Sequence, residues 1–306
     1  MTYLLFLLGL VGLFLGGEFL VKGAVNVARR FHVPAVVIGA TIVGFGTSAP
    51  ELLVSLQAAM AGAPDLALGN VIGSNIANIL LILGISALIV PVPLRLGELR
   101  PQFTVTIGAT LVLWVFLYGA EVARWQGLLL VAFLAVFLWT SLRRSAGSAP
   151  PEAAHSSLIP LWQSTAYTLG GLLVLVIGAR LLVDSSTDIA RTFGVSEAVI
   201  GLTIVAIGTS LPELATSVMA AVRGHSDIAV GNILGSCIFN ILGILGVTAL
   251  VTPIPVDPRF AALDIRFATA AALAMLALAI VGRAGRAAGG ALLISYAGYL
   301  AYIGHG

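Results

Sequence analysis

The sequence predicts an all-α integral membrane protein. It has about ten transmembrane helices in two inverted-topology five-helix repeats, with broken helices at mid-membrane. Three observations predict this. First, the 306 residues are 59% hydrophobic and only 9% charged, with a mean hydropathy of +1.09. So few charges cannot cover a water-soluble surface of this size, which leaves lipid to cover it. Second, shifting the sequence by 162 positions aligns Phe31–Pro93 with Phe193–Pro255 without a gap, and about 35 of the 63 positions are identical. Third, each copy places a glycine, hydroxyls, a proline and one carboxylate inside an apolar segment, where a continuous spanning helix should have none of them.

The apolar segments fall at roughly 2–27, 35–60, 66–90, 101–119, 124–142, 162–183, 197–222, 228–251, 261–282 and 287–303. Each is near the ~20 residues needed to cross the hydrocarbon. Residues 2–16 imitate a signal peptide, but they lack a basic leader and the apolar run continues, so they read as the first span. The connections are short and hold most of the charge. The one sizeable linker, 143–160, is rich in Ser, Pro and Ala and too short for a soluble regulatory domain. The chain therefore divides into a first repeat at 1–142, a cytoplasmic linker at 143–160 and a second repeat at 161–306. Five spans per half is an odd number, so the halves enter the membrane from opposite sides, related by a pseudo-twofold axis in its plane. Ten lysines and arginines fall on one side and five on the other, which places both termini outside, extracellular or periplasmic, in a plasma (inner) membrane.

Other residues bound the function. The lone Cys237 excludes an internal disulfide, and no Cys/His cluster offers a zinc site. A net charge of +2 without a basic tract gives no footprint for nucleic acid. The four histidines are scattered near segment ends. Trp114, Trp125, Trp139 and Trp162 suit interfacial belts, and Glu18, Glu98, Glu121, Asp184, Asp188 and Asp264 read as charges at helix ends or short connections.

The chemistry lies in two stretches, Gly44–Leu52 and Ala206–Leu214. Pro50 breaks a continuous helix, Gly44 and Gly46 let the backbone unwind, and Ser48-x-x-Glu51 has capping-box spacing for a new helix. Irregular backbone at membrane depth must be buried in protein or line a cavity. Freed carbonyls around Gly44–Thr47 would point there, with the hydroxyls of Thr47 and Ser48 and the carboxylate of Glu51. Thr209, Ser210 and Glu213 repeat the arrangement. All are oxygen ligands, which suit a hard cation such as Na⁺ or Ca²⁺. One such copy is equally how a kinked helix ends. Two facing copies are not, because two buried like charges need a cation or protons to neutralise them.

The following segments, Gly69–Asn78 and Gly231–Asn240, carry G-x-x-x-G ridges for close helix packing. Ser74 and Asn78 share one helix face, as do Ser236 and Asn240, and add neutral oxygens if that face meets the break. Asn70 and Asn232 fit interhelix hydrogen-bond glue as well as they fit ligation.

Both copies thus read G-T-S-x-P-E-L followed by G-N-x-x-G-S-x-I-x-N. These motifs resemble the cation/Ca²⁺ exchanger superfamily, in its Na⁺/Ca²⁺ exchanger branch and a compact prokaryotic form. The resemblance covers nearly the whole chain and is sharpest over 39–91 and 201–253. It implies a secondary-active antiporter, not an enzyme, that works by alternating access, with Na⁺ and Ca²⁺ sharing one central cluster of sites. It implies no cofactor and no obligatory protein partner. Carried over by motif, Glu51 and Glu213 are the principal Ca²⁺ ligands, and Thr47 and Thr209 add backbone oxygens. Ser48, Ser210, Ser74 and Ser236, with carbonyls at Gly44 and Ala206, help bind Na⁺. Asn78 and Asn240 complete the centre. K⁺-dependent relatives carry an aspartate at one of these last two positions; two amides here imply K⁺ independence. Ca²⁺/H⁺ or other divalent cation antiport is the alternative within transporters, and a cation channel is the alternative of another class. By analogy of fold, Gly16–Lys22 and Gly170–Asp184 are candidates for a sliding gate.

Overall fold

The computed structural model describes residues 1–145, 159–194 and 206–305. Most of the linker and residues 201–205 of the second motif lie outside the described residues. In the first half, α1 is Thr2–Arg30, and α2 (Ala35–Thr47) and α3 (Ala49–Met60) form a pair bent by 45°. Then follow α4 (Pro64–Ile89), β1 (Val92–Pro93), α5 (Leu96–Phe116), β2 (Glu121–Val122) and α6 (Arg124–Ser145). The second half supplies α7 (Leu161–Thr192), a helical turn at Ala206–Gly208, α8 (Leu211–Val222) and α9 (Ser226–Val251). It ends with β3 (Ile254–Pro255), α10 (Phe260–Val281), β4 (Arg283–Ala284) and α11 (Arg286–His305).

Helices dominate because every backbone N–H and C=O in hydrocarbon must be satisfied within its own segment. Among the described residues, seven helices are long and apolar enough to cross a membrane, and up to eight if the bent pair is one span. Large apolar side chains such as Phe14, Leu128, Leu173, Ile280 and Ile294 are more than half exposed, which fits contact with lipid. The chain is an integral, multi-pass membrane protein.

The helices divide between a centre and a shell. In α4 and α9, 72% and 83% of the apolar window is buried, against 28–39% in the other candidate spans. One large apolar cluster surrounds these two helices, with side chains such as Leu83, Phe103, Leu245 and Met275. A second cluster joins α1 to α7 through Leu13, Leu20, Leu175 and Leu182.

The short connections follow the sequence repeat. Gly62 and Gly224, 162 positions apart, end α3 and α8 at φ +77° and +76°, a left-handed conformation that glycine adopts without strain. Two-residue strands tie loops together: Val92 pairs with Ala284 and Pro93 with Arg283, while Val122 pairs with Ile254 and Glu121 with Pro255. The same shift of 162 carries the first antiparallel pairing onto the second.

Three sequence expectations need correction. Asp264 is not at an interface: it is 2% exposed, accepts a hydrogen bond from Tyr299 Oη at 3.1 Å and pairs with Arg259 Nε at 3.3 Å. Its neighbours on α10 and α11 enclose it. Glu18 lies well inside α1, where it pairs with Arg223 Nε at 2.7 Å beyond the end of α8. Trp114 is partly buried, and its indole Nε1 is enclosed without a partner, unlike the exposed Trp125, Trp139 and Trp162. Of the two G-x-x-x-G ridges, the second is the one whose partner segment is described. A Cβ at Gly235 would stand 2.5 Å from Ala40 Cα, so α9 and α2 touch backbone to backbone. A Cβ at Gly73 would meet nothing within 4 Å among the described residues. The segment equivalent to Ala40 lies at 202, outside them.

Candidate functional site

The two proline-bearing breaks face each other. Ser48 alone separates α2 from α3, at φ −84° and ψ 6°, and Ser210 precedes α8 at φ −88° and ψ 7°. Both lie near the sparsely populated bridge region that often holds active-site residues. Pro50 and Pro212 sit in the first turns of α3 and α8, where a missing N–H breaks no helical bond. Glu51 and Glu213 follow in those turns, each 1% exposed.

The serines do not cap their own helices. Ser48 Oγ donates to Glu213 Oε1 at 2.9 Å, and Ser210 Oγ donates to Glu51 Oε1 at 3.3 Å. The capping box expected within Ser48-x-x-Glu51 is exchanged between the halves. A charged acceptor attracts a hydroxyl more strongly than local alternatives do.

The expected unwinding of Gly44–Thr47 also needs correction. These four residues are helical, and Gly44 O accepts from Ser48 N at 3.1 Å and from Thr47 Oγ1 at 3.3 Å. Its carbonyl is occupied, and the break is a bend of one residue. Thr47 Oγ1 also stands 3.1 Å from Val43 O and 3.1 Å from Asn232 Oδ1.

Asn70 and Asn232 act as glue between helices. Asn70 Nδ2 donates to Glu51 O at 3.1 Å and Ser55 Oγ at 2.8 Å; Asn232 Nδ2 donates to Glu213 O at 3.3 Å and Ser217 Oγ at 2.9 Å. Each amide pins the helix turn that carries the glutamate of its own half. Ser55 and Ser217, not singled out from sequence, are two-fold counterparts 162 positions apart.

The amides of the central helices sit where the helices widen. Asn78 opens a π-helical segment at Asn78–Ile82, and Asn240 lies within another at Phe239–Leu245. Single-turn π segments are frequent at functional sites. Asn240 Nδ2 donates to Asn75 Oδ1 at 3.0 Å, a contact the sequence reading missed. Ser74 and Ser236 are both buried, and Ala206 begins the helical turn before Thr209.

What remains unpaired defines the chemistry. Glu51 Oε2, Glu213 Oε2, Asn78 Oδ1, Asn240 Oδ1, Thr209 Oγ1 and Ser236 Oγ are buried without a hydrogen-bond partner. A buried polar group left in this way costs about 1–3 kcal/mol, more if charged. Among the described residues, no lysine, arginine or histidine forms an ion pair with either glutamate. Two carboxylates, two amide oxygens and hydroxyls without a counter-cation are a donor set for a hard cation. No group of three or more His, Cys, Asp or Glu able to hold a metal occurs among the described residues, so neutral oxygens must supply the rest of any such shell.

Known families match this arrangement. The family of sodium/calcium exchanger proteins matches residues 1–143 and 163–304. The chain belongs to that family. This exchanger is 38% identical over 304 residues to the putative antiporter CaxA of Alkalimonas amylolytica, covering 96% of this chain and 95% of the relative. It is 32% identical over 295 residues to the sodium/calcium exchanger MaX1 of Methanosarcina acetivorans, covering 83% and 84%. Its backbone is similar to a solved structure of the sodium-calcium exchanger NCX_Mj soaked with zero Na⁺ and Ca²⁺. That match has a TM-score of 0.87 and 32% identity, over 99% of this chain and 98% of the other. The exchanger is therefore a membrane antiporter of this family.

Proposed function

We propose that the protein exchanges Na⁺ for Ca²⁺ across a plasma (inner) membrane by alternating access, independently of K⁺. One observation carries this reading: the unpaired buried oxygens of Glu51, Glu213, Asn78 and Asn240, with no cationic side chain among the described residues paired to the carboxylates. Glu51 and Glu213 are the principal Ca²⁺ ligands in this scheme, and Asn78 and Asn240 close the centre. Ser48, Ser210, Ser74 and Ser236, with oxygens of Thr47 and Thr209, serve Na⁺. Gly44 O already accepts from Ser48 N, so it takes the smallest share, whereas Ser210 N donates to Ile207 O and leaves the Ala206 carbonyl to serve Na⁺.

Ten spans in two inverted repeats with both termini outside fit the repeat's shift of 162 and the symmetric strand pairings. Charge gives the mechanism its logic. Two ionised glutamates hold about −2, and one Ca²⁺ neutralises them for passage through a low-dielectric barrier. The empty site keeps its charge, which disfavours switching without cargo. Amides at both Asn78 and Asn240 leave no further carboxylate for K⁺.

The test is Ca²⁺ uptake into proteoliposomes under an outward Na⁺ gradient, with a matched outward H⁺ gradient beside it. Uptake driven by Na⁺ and indifferent to K⁺ is expected. Uptake driven only by H⁺ would move the protein to proton-coupled exchange, and uptake without any counter-ion would make it a channel.

A further inference from the structure

The pseudo-twofold symmetry of the site fails beside its central amides. Positions 75 and 237 are equivalent under the shift of 162, yet one is asparagine and the other is the chain's single cysteine. Both are enclosed, Asn75 at 5% and Cys237 at 1% exposure. Asn75 reaches across to the central amide of the opposite half, and Cys237 to its backbone. Asn75 Oδ1 accepts from Asn240 Nδ2 at 3.0 Å. Cys237 Sγ instead lies 3.9 Å from the backbone oxygen of Asn75.

An amide has one acceptor end and one donor end, and only the acceptor end can ligate a cation. With its Nδ2 committed to Asn75, Asn240 keeps Oδ1 buried and unpaired. With Asn75 held as it is, turning the Asn240 amide by 180° would set two oxygens against each other and present an N–H₂ group in the ligand position. We infer that Asn75 is a positioning residue that fixes the orientation of Asn240 with its oxygen toward the transported cation. A thiol is a weak hydrogen-bonding group, so position 237 does not hold Asn78 as Asn75 holds Asn240. The side-chain shell around the cation is thus asymmetric although its ligands are a matched pair. This inference rests on the ligand role proposed above for Asn240.

The experiment is a double-mutant cycle on the full-length protein in detergent, with Ca²⁺ affinity measured by titration calorimetry. The variants are Asn75→Leu, Asn240→Ala and both together. Asn75→Leu keeps the side-chain volume and removes the acceptor. Its expected effect is a roughly tenfold loss of Ca²⁺ affinity, the scale of one hydrogen bond whose partner is left unsatisfied. In the Asn240→Ala background the same change should cost nothing further, because Asn75 acts only through that amide. Asn75→Cys, which copies the residue at 237, should give a smaller loss with the same dependence on Asn240 and serves if Asn75→Leu does not fold.

A loss that adds in full on top of Asn240→Ala would overturn the inference, since it would mean Asn75 acts elsewhere. So would unchanged affinity in both Asn75 variants. If Asn240→Ala itself leaves Ca²⁺ binding intact, the ligand assignment fails first, and the inference falls with it.

Discussion

Ser48 hydrogen-bonds Glu213 at 2.9 Å although its own glutamate lies three residues away. The reciprocal bond from Ser210 to Glu51 completes an exchange in which each half orients the carboxylate of the other. The two halves therefore share one site, and neither half's break is complete alone.

Neutralising either carboxylate should end transport. Glu51→Gln and Glu213→Gln keep size and remove one charge, and each is expected to lower Ca²⁺ affinity about a hundredfold or more. The ion-free variants should melt no lower than the parent, because one uncompensated buried charge is gone. Thermal melting with and without Ca²⁺ checks both points: Ca²⁺ should raise Tm in the parent and not in the variants. Near-normal flux in either variant would sink the assignment.

Acid should weaken Ca²⁺ binding. Carboxylates take Ca²⁺ only when deprotonated, so binding at the proposed site should displace any protons held there. Affinity is expected to fall as pH falls, with a limiting slope of about two decades per pH unit if both carboxylates are protonated in the ion-free site. Calorimetry in buffers of different ionisation enthalpy would count the protons released. A pH-independent affinity between weakly acid and neutral conditions would contradict the paired-carboxylate site.

The serine exchange predicts matched effects. Ser48→Ala and Ser210→Ala each remove one bond to a carboxylate, expected to cost about 1.5–3 kcal/mol of stability if the acceptor stays charged. The ion-free protein should be affected more than the Ca²⁺-bound protein, since a cation satisfies the freed oxygen. Unequal losses from the two substitutions would show that the halves do not mirror each other here.

Close packing makes a fourth prediction. Gly235→Ala places a methyl 2.5 Å from Ala40 Cα and 2.6 Å from Ala40 O, both backbone atoms that cannot give way cheaply. It should lower Tm and slow transport by prising α9 from α2, with a cost of about 1–3 kcal/mol. Gly97→Ala, with nothing within 4 Å among the described residues, is the control and should be silent in both assays.

Much of this was legible in the sequence. The repeat located both glutamates, their serines and the two amides, because a charge or amide inside an apolar run stands out without knowledge of its neighbours. The partners were not legible. Spacing makes Ser48 a local cap for Glu51, and nothing in one strand of text says that Glu213 stands nearer. Gly44 was expected to unwind, but the Ser48 N–H and Thr47 hydroxyl hold its carbonyl in a helical turn. Asp264 looked interfacial because it sits near a segment start; only tertiary packing encloses it with Tyr299. Asn75 escaped notice because its counterpart is Cys237, and a search by symmetry discards mismatches.

The strand pairings have a consequence for how the chain is made. Val92 and Pro93 wait for Arg283 and Ala284, and Glu121 and Val122 wait for Ile254 and Pro255. Every one of these pairings joins residues from opposite halves, so the first half emerges from the ribosome with both of its short edges open. It stays unfinished until the last helices arrive. A gene cut in the linker would yield two polypeptides that are each other's missing template, and their co-assembly in the bilayer would be the earliest event at which a cation could be held.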